Sequence, residues 1–193
     1  MTEAHFLQLF DTIESRADNV GAFVEGSLAA GGKVVVLATP EHWKAVDERL
    51  SLWGCDVDSA IADRRLTMVD ARRALESILR RGQPDPMRFS AWAARAVPPP
   101  GGSVVRRIFV YGELVDLLAE EANFAAAVTL ERLWSDLLKS RPFTLMCGYC
   151  SAHFSNPRAG SALREICACH SRNETASDDA LGSFLITSSR RRR

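Results

Sequence analysis

The chain contains 193 residues, of which 47% are apolar and 25% are charged, a composition typical of one globular domain. Lysine and arginine together number 24, and aspartate and glutamate also number 24, so the formal net charge is zero. A balanced charge provides no overall attraction to nucleic acid or to anionic lipid, so we expect neither as a direct partner.

The sequence carries no sign of secretion or of a membrane span. The first ten residues lack a basic start followed by an apolar stretch, and no apolar run reaches the roughly 20 residues that a transmembrane helix needs. Five cysteines without small-scaffold spacing fit reduced thiols better than a disulfide framework. We therefore expect a cytoplasmic protein. The four arginines at 190–193 are either solvated at the end of the chain or contact phosphate or lipid.

Strands and helices are predicted to alternate along the chain. Residues 33–38, KVVVLA, form a β-branched run without polar alternation, as in a strand buried on both faces. Thr39 and Pro40 then predict the cap and first turn of a helix. In chain order we predict a strand at 5–10, a helix at 16–30, a strand at 33–38, a helix from 40 to Gly54, a strand at 65–69, a helix at 71–81 stopped by Gly82, a helix from 84 to about 97, a loop at 98–102, a strand at 104–111, helices at 113–120 and 123–139, a strand at 143–147, a helix at 158–170 and a last strand at 182–188.

This alternation implies parallel strands with right-handed crossovers, and hence an α/β domain with helices on both faces of the sheet. In such open sheets, ligands bind outside the carboxyl ends of the strands. We therefore expect Thr39, Glu41, His42, Asp70, Glu113 and Cys147 near this edge. The candidate ligand-binding residues are these six together with Asn123 and Glu131.

Three stretches carry a family resemblance. The first, at 23–71, runs through a helix, a glycine turn, a strand, a helix, a Gly-x-Asp turn and a short strand that ends in Asp-Ala. The second, at 111–134, is YGELVDLLAEEANFAAAVTLERLW, and the third combines FTLMCGYCSAHF with ICACHS. The first stretch resembles the region after the phosphate-binding loop in KaiC-like members of the RecA superfamily. Together the three resemble the MEDS family of methanogen and methylotroph sensory domains, and the second stretch is the most specific.

The resemblance covers residues 5–171 and implies a RecA-like three-layer domain with a mainly parallel central sheet, followed by a flexible tail at 172–193. It implies a sensory input domain in signal transduction and transcription regulation. Its partner would be a small molecule, for which hydrocarbon derivatives are suggested, or a signalling protein. We predict no cofactor, no metal ligand and no catalytic residue, and homo-oligomerisation stays open.

The place of a phosphate-binding loop is taken by residues 11–16, DTIESR. A nucleotide-hydrolysing domain needs G-x-x-x-x-G-K-[ST] after its first strand, because the glycine backbone wraps the phosphates and the lysine meets them. The segment has no glycine or lysine, and its two acids, Asp11 and Glu14, would repel phosphate. We therefore expect no ATP hydrolysis and no enzyme activity. The alternative is a nucleotide-binding or metal- or redox-responsive remnant of a RecA-like ATPase.

Several single residues allow two interpretations. Glu113 either holds a ligand or a cation, or stabilises the dipole of the helix that it precedes. Asn123 is expected to cap the next helix. Glu131 lies beside an apolar stripe, and we expect an internal salt bridge, for example to an arginine of the fourth strand. Trp134 is expected in the core.

The late cysteines suggest a metal site without establishing one. Together they and the adjacent histidine supply enough ligands for tetrahedral zinc. Helical spacing places Cys167 and His170 on one face but leaves Cys169 off it. Three hypotheses stay open here: a metal site, buried thiols and a redox role. They concern Cys147, Cys150, Cys167, Cys169 and His170.

Overall fold

The computed structural model describes residues 5–97, 107–155, 159–175 and 180–190. Within these residues the centre of the protein is a sheet of six parallel strands in the order β3-β2-β6-β7-β1-β8, beside a small antiparallel hairpin. The strands are β1 His5–Phe10, β2 Lys33–Ala38, β3 Leu66–Asp70, the hairpin strands β4 Leu79–Arg80 and β5 Gln83–Pro84, β6 Ile108–Gly112, β7 Thr144–Cys150 and β8 Arg172–Thr175.

Helices cover both faces of the sheet and complete a three-layer, RecA-like α/β fold, which confirms the predicted fold class. The helices are α1 Ile13–Ala29, α2 Pro40–Leu52, α3 Val57–Ala62, α4 Ala71–Ile78, α5 Pro86–Ala96, α6 Leu114–Glu120, α7 Phe124–Ser140, α8 Ala159–Ala168 and α9 Ala180–Arg190, with a 3₁₀ turn at Ser151–Phe154. In the described part of the chain, no helix combines the length and apolar character needed to cross a bilayer.

The central strands are buried as their sequences predict. Val34 and Val36 of β2 pack towards α1, α2 and α3, whereas Val35 and Leu37 pack towards the opposite layer. Trp134 of α7 is 1% exposed and packs edge-on against the Phe89 and Trp92 rings of α5, so its predicted place in the core is confirmed.

The helix predicted at 71–81 is too long, because α4 ends at Ile78 and the chain turns into the β4–β5 hairpin. Arg81 and Gly82 both have positive φ, 53° and 74°, as a two-residue hairpin turn requires. Gly82 therefore belongs to a hairpin turn and does not cap a helix. Strand β7 is longer than predicted, since its pairing with β1 continues to Cys150.

The predicted strand at 182–188 is wrong, because these residues lie in α9. Gly182 and Ile186 are buried four residues apart, which is helical and not strand spacing. Strand β8, next to β1, and helix α3 were not predicted. The loop at 98–102, residues 104–106 of the fourth strand and arginines 191–193 lie outside the described residues. A division of the chain at residue 171 stays a prediction.

Gly148 in β7 is expected to tolerate no side chain. A Cβ there would lie 2.7 Å from the Tyr111 hydroxyl and 2.9 Å from Phe10 Cε2, and both of these rings are buried. Gly148→Ala should lower the free energy of unfolding by about 1–3 kcal/mol, measured by urea denaturation. Gly26→Ala is the control, because its Cβ would meet no described atom within 4 Å inside α1. Gly26→Ala should raise the free energy of unfolding by about 0.5–1 kcal/mol. Equal effects of the two changes would contradict the packing described.

Candidate functional site

A buried guanidinium joins two buried carboxylates at the carboxyl edge of the sheet. Arg16, in the first turn of α1, donates from Nη1 to Glu113 Oε2 at 2.9 Å and from Nη2 to Asp116 Oδ2 at 2.7 Å. The exposed fraction is 4% for Arg16 and Asp116 and zero for Glu113. Charges this deeply buried are tolerated only when they are paired, so the three groups depend on one another.

The two carboxylates extend this pairing to two histidines at the protein surface. His42 Nδ1 lies 2.9 Å from Glu113 Oε2, and His153 Nδ1 lies 2.8 Å from Asp116 Oδ1. Both imidazoles are partly exposed, with side-chain exposures of 27% and 24%. We call Arg16, His42, Glu113, Asp116 and His153 the edge network.

Backbone amides from two further strand ends fix the carboxylates in place. The Thr39 N–H after β2 donates to Glu113 Oε1, and the Cys150 N–H at the end of β7 donates to Asp116 Oδ1 at 2.8 Å. Glu113 is the N-cap residue of α6, but its carboxylate turns across the sheet edge to these partners. Glu113 is therefore an ion-paired member of the network that makes no cap hydrogen bond to α6, and its role in holding a ligand stays a prediction.

The pairing moves the proton affinities of its members in opposite directions. Burial alone would raise the pKa of Asp116, but the hydrogen bond from His153 and the charge of Arg16 lower it below its usual range. The same hydrogen bond to Asp116 raises the pKa of His153, against the effect of its partial burial. The pair therefore favours a charged imidazolium beside a charged carboxylate.

A cavity of about 320 Å³ lies against the edge network. Four carboxylates line it against only two guanidiniums, and Phe10, Ile13 and Leu117 supply apolar wall. We call it the edge cavity. Its lining residues are Phe10, Asp11, Thr12, Ile13, Arg16, Thr39, Glu41, His42, Arg72, Asp116, Leu117, Glu120, Cys150 and His153.

The structure brings half of the candidate residues to this place. Thr39, Glu41 and His42 line the edge cavity, and Glu113 bonds to His42 and to the Thr39 amide. Whether they bind a ligand stays a prediction.

Two other candidates serve as helix caps away from the cavity lining. Asp70 accepts hydrogen bonds from the backbone of Arg72 and Arg73 at the start of α4. Asn123 accepts from the Ala126 N–H, which confirms the predicted cap of α7, and donates from Nδ2 to the Gly82 carbonyl of the hairpin.

Cys147 and Glu131 belong to a second, separate cluster. Cys147 was expected at the end of a strand, but β7 runs on to Cys150, so its thiol points into the core and not to the carboxyl edge. Glu131 was expected to pair with an arginine of the fourth strand. Its partners are instead His5, His170 and Tyr149, the last donating from its hydroxyl to Oε1 at 2.7 Å.

Burial and charge both act on this second cluster. Burial alone would raise the pKa of Glu131, but the two histidines and the Tyr149 hydroxyl lower it below its usual range. Burial, reinforced by the Glu131 carboxylate, raises the pKa of the Cys147 thiol well above its usual range. Burial lowers the pKa of His170, so this imidazole is disfavoured as a cation.

Arg16, Asp116 and His153 were missed as site residues. Arg16 falls four residues before Val20 and eight before Val24, on the buried stripe of α1, so a charge in an apolar helix face was the available signal. Asp116 likewise interrupts the buried run LVDLL of α6. His153 stands in a short 3₁₀ turn and offered no comparable pattern.

The fold and the edge cavity define an α/β domain of RecA-like architecture with a polar site at the carboxyl ends of its strands. The chain belongs to the MEDS family, because the family model described as "MEthanogen/methylotroph, DcmR Sensory domain" matches residues 4–171. MEDS is a sensory domain family, which supports a sensory or regulatory role and suggests a non-enzymatic one. No curated protein matches the chain.

Removing the central guanidinium should destabilise the fold strongly. Arg16→Met leaves two buried carboxylates without their common cation, so we expect the free energy of unfolding to fall by about 3–5 kcal/mol at neutral pH. Arg49→Met is the matched control, because Arg49 pairs with Asp18 on the surface, at 2.6 Å, and should contribute under about 1 kcal/mol. Urea denaturation measures both. Similar losses for the two variants would contradict the role given to Arg16.

The edge network should also make stability depend on pH. The pKa of His153 is raised in the folded state, so its contribution is complete below the unfolded value of 6.5 and is lost as the pH rises through the folded value. His153→Asn keeps a donor to Asp116 without the titration. The stability difference between wild type and this variant should be largest near pH 6 and shrink as the pH rises, followed by urea denaturation across pH. A stability difference that stays constant with pH would contradict the raised pKa of His153.

Proposed function

We propose that this chain is the ligand-binding module of a cytoplasmic signalling system, and that the edge cavity takes a small neutral or cationic organic molecule without ATP hydrolysis. The observation that carries the proposal is the combination of an acidic lining, an apolar wall and two partly exposed histidines fixed on buried carboxylates. Polar groups that converge on a partly apolar cavity are the usual composition of a small-molecule site.

The volume and the walls limit the size and type of the ligand. A cavity of about 320 Å³ lies at the lower end of the range for small-molecule sites, roughly 300–1,000 Å³, so it suits a short molecule. Phe10, Ile13 and Leu117 suit a short hydrocarbon chain. This agrees with the hydrocarbon derivatives that the family resemblance suggests.

The histidines supply the polar contacts for the ligand. Because Nδ1 of His42 and of His153 is engaged by a carboxylate, Nε2 is the ring nitrogen that can meet a molecule in the cavity. A hydroxyl can accept from an Nε2–H, and an ammonium group can donate to the carboxylates of the rim. An anion would meet four carboxylates against two guanidiniums and the His153 imidazolium, a net negative lining, so carboxylic acids and phosphates are disfavoured.

The start of α1 gives a second reason to disfavour nucleotides. Thr12 accepts a hydrogen bond from the Ser15 N–H and closes a capping box, so the helix N-terminus is already satisfied by its own side chains. Asp11, Thr12 and Ile13 take the place where a phosphate-binding loop would follow β1. Mg-ATP is therefore the competing ligand to test.

Ligand binding in the cavity would affect several strands and helices, because the edge network connects them. A ligand that bonds to His42 or His153 changes the hydrogen bonding of an imidazole that faces Glu113 or Asp116, and Arg16 couples both carboxylates to α1. The output would pass to a signalling-protein partner, in transcription regulation or a related process, or to a second copy of the chain. A ligand drives such a change only by its differential affinity for the two states.

Thermal unfolding with three ligands of equal chain length tests the proposal. Propylamine and propan-1-ol should raise the melting temperature, and propionate should raise it least, because it alone adds negative charge to an acidic cavity. A ligand at 100 times its Kd adds about 2.7 kcal/mol of stability. Ile13→Trp should abolish the shift by filling the cavity. Ile61→Trp is the matched control, because Ile61 is similarly exposed, 44% against 42%, but lies on α3 outside the cavity lining.

Three results would contradict the proposal. A larger shift with propionate would overturn the electrostatic argument. A shift with Mg-ATP that Ile13→Trp abolishes would favour the nucleotide-binding alternative. No shift with any of these ligands at millimolar concentration would exclude a small-molecule site of this type and favour a protein partner.

A further inference from the structure

The second cluster brings together four side chains with metal-binding atoms from four separate parts of the chain. His5 begins β1, Glu131 lies in α7, Cys147 lies in β7 and His170 follows α8. All four residues are buried, and their ligand atoms lie within 4.8 Å of one another. The cluster lies in the core on the α7–α8 side of the sheet and shares no residue with the edge cavity.

His170 directs an unsatisfied nitrogen into this cluster. Its Nδ1 lies 2.7 Å from the Ile166 carbonyl, which can only accept, so Nδ1 carries the proton. In the neutral ring Nε2 then presents a lone pair. This Nε2 is 3.4 Å from Glu131 Oε2 but has no hydrogen-bond partner in the described part of the structure, although the side chain is fully buried. Two lone pairs facing each other in the core are explained if a cation lies between them.

His5 can offer a second ring nitrogen to the same place. The Ser135 hydroxyl lies 3.4 Å from His5 Nδ1 and 3.5 Å from the Cys169 carbonyl, so it can accept from Nδ1–H while it donates to the carbonyl. Without an ion, His5 Nε2–H can donate to Glu131 Oε2 at 3.2 Å; with the proton on Nδ1, the Nε2 lone pair faces the same space beside Glu131 and Cys147 and can bind an ion there. A histidine that ligates a metal usually donates its other N–H in this manner.

Four of the six distances among the ligand atoms fit a tetrahedral ion. Ligand atoms at about 2.0–2.3 Å from a tetrahedral zinc ion lie roughly 3.3–3.6 Å from each other. His5 Nε2 lies 3.2 Å from Glu131 Oε2 and 3.4 Å from Cys147 Sγ. Cys147 Sγ lies 3.5 Å from Glu131 Oε2, and His170 Nε2 lies 3.4 Å from the same oxygen.

The donor set and the charge select the type of ion. Two imidazole nitrogens, one sulfur and one carboxylate oxygen suit a borderline-soft divalent transition metal and not magnesium or calcium, which prefer oxygen ligands. A divalent ion displaces the proton of the Cys147 thiol, which is released to solvent, and forms a neutral unit with the thiolate and one carboxylate, so its burial costs far less than that of an unpaired charge. Tyr149 also donates to the second oxygen of Glu131 at 2.7 Å and so orients the carboxylate.

We propose that His5, Glu131, Cys147 and His170 form a closed, tetrahedral site for one divalent ion of the zinc class. A site with four protein ligands and no open position is structural. It ties β1 and β7 to α7 and to the chain that follows α8. This inference is independent of the ligand proposed for the edge cavity.

Cobalt(II) added to the chelator-treated full chain tests the site by visible absorption. We expect one cobalt per chain, tetrahedral d–d bands and a thiolate-to-cobalt charge-transfer band. Cys147→Ser should abolish the charge-transfer band. Cys169→Ser is the matched control and should retain it, because Cys169 is half-buried next to the cluster but is not a proposed ligand. Octahedral spectra, no binding to wild type, or loss of the band only in Cys169→Ser would overturn the proposal.

X-ray absorption on the zinc-loaded wild-type chain gives a test that needs no variant. We expect one sulfur at about 2.3 Å and three nitrogen or oxygen ligands at about 2.0–2.1 Å. No sulfur, or two or more, would overturn the ligand set. Tyr149→Phe should weaken zinc binding by about 10- to 100-fold, because it removes the hydrogen bond that orients Glu131. Unchanged affinity in that variant would overturn the role given to Tyr149.

Discussion

The buried guanidinium of Arg16 is the interaction on which the carboxyl edge of the sheet depends. It neutralises Glu113 and Asp116, two carboxylates that the core could not hold without a cation. Those carboxylates in turn fix the chain after β2, through the Thr39 amide, and the end of β7, through the Cys150 amide. One side chain of α1 therefore sets the relative positions of three strand ends, and with them the shape of the edge cavity.

The two polar clusters differ in their access to solvent, and this difference suits them to different ligands. The edge network reaches solvent through His42 and His153, so it can exchange protons and meet a ligand. The cluster of His5, Glu131, Cys147 and His170 is closed and has no comparable route to solvent through its own described side chains. An exchangeable small molecule suits the first environment, whereas a permanently held ion suits the second.

Much of the fold could be predicted from local patterns. The run KVVVLA, the caps at Thr39 and Asn123 and the apolar stripe around Trp134 are confirmed, because each depends on a few neighbouring residues. Strand β8, RNET, could not be predicted, because its polar residues form a strand only through pairing with β1. The short apolar run at 182–188 predicts a strand but forms part of α9, because only packing against the core distinguishes such a run from a helix.

The candidate site was predicted in part, and the limit was the end of β7. Thr39, Glu41, His42 and Glu113 follow from the rule that ligands bind at strand carboxyl ends, but Cys147 was assigned to that edge because its strand was taken to end there. The partners of Glu131 come from residues 5 and 170, at opposite ends of the family match, so no local pattern could identify them.

The four histidines of the chain make the central claim directly measurable, because two lie in each cluster. Long-range ¹H–¹⁵N spectra of the imidazole nitrogens, recorded during titration with propylamine or propan-1-ol, report both places at once. We predict that Nε2 of His42 and His153 shifts while His5 and His170 stay unchanged. A ligand that stabilises the protein but shifts His5 and His170 alone would contradict the assignment of the edge cavity as the sensory site.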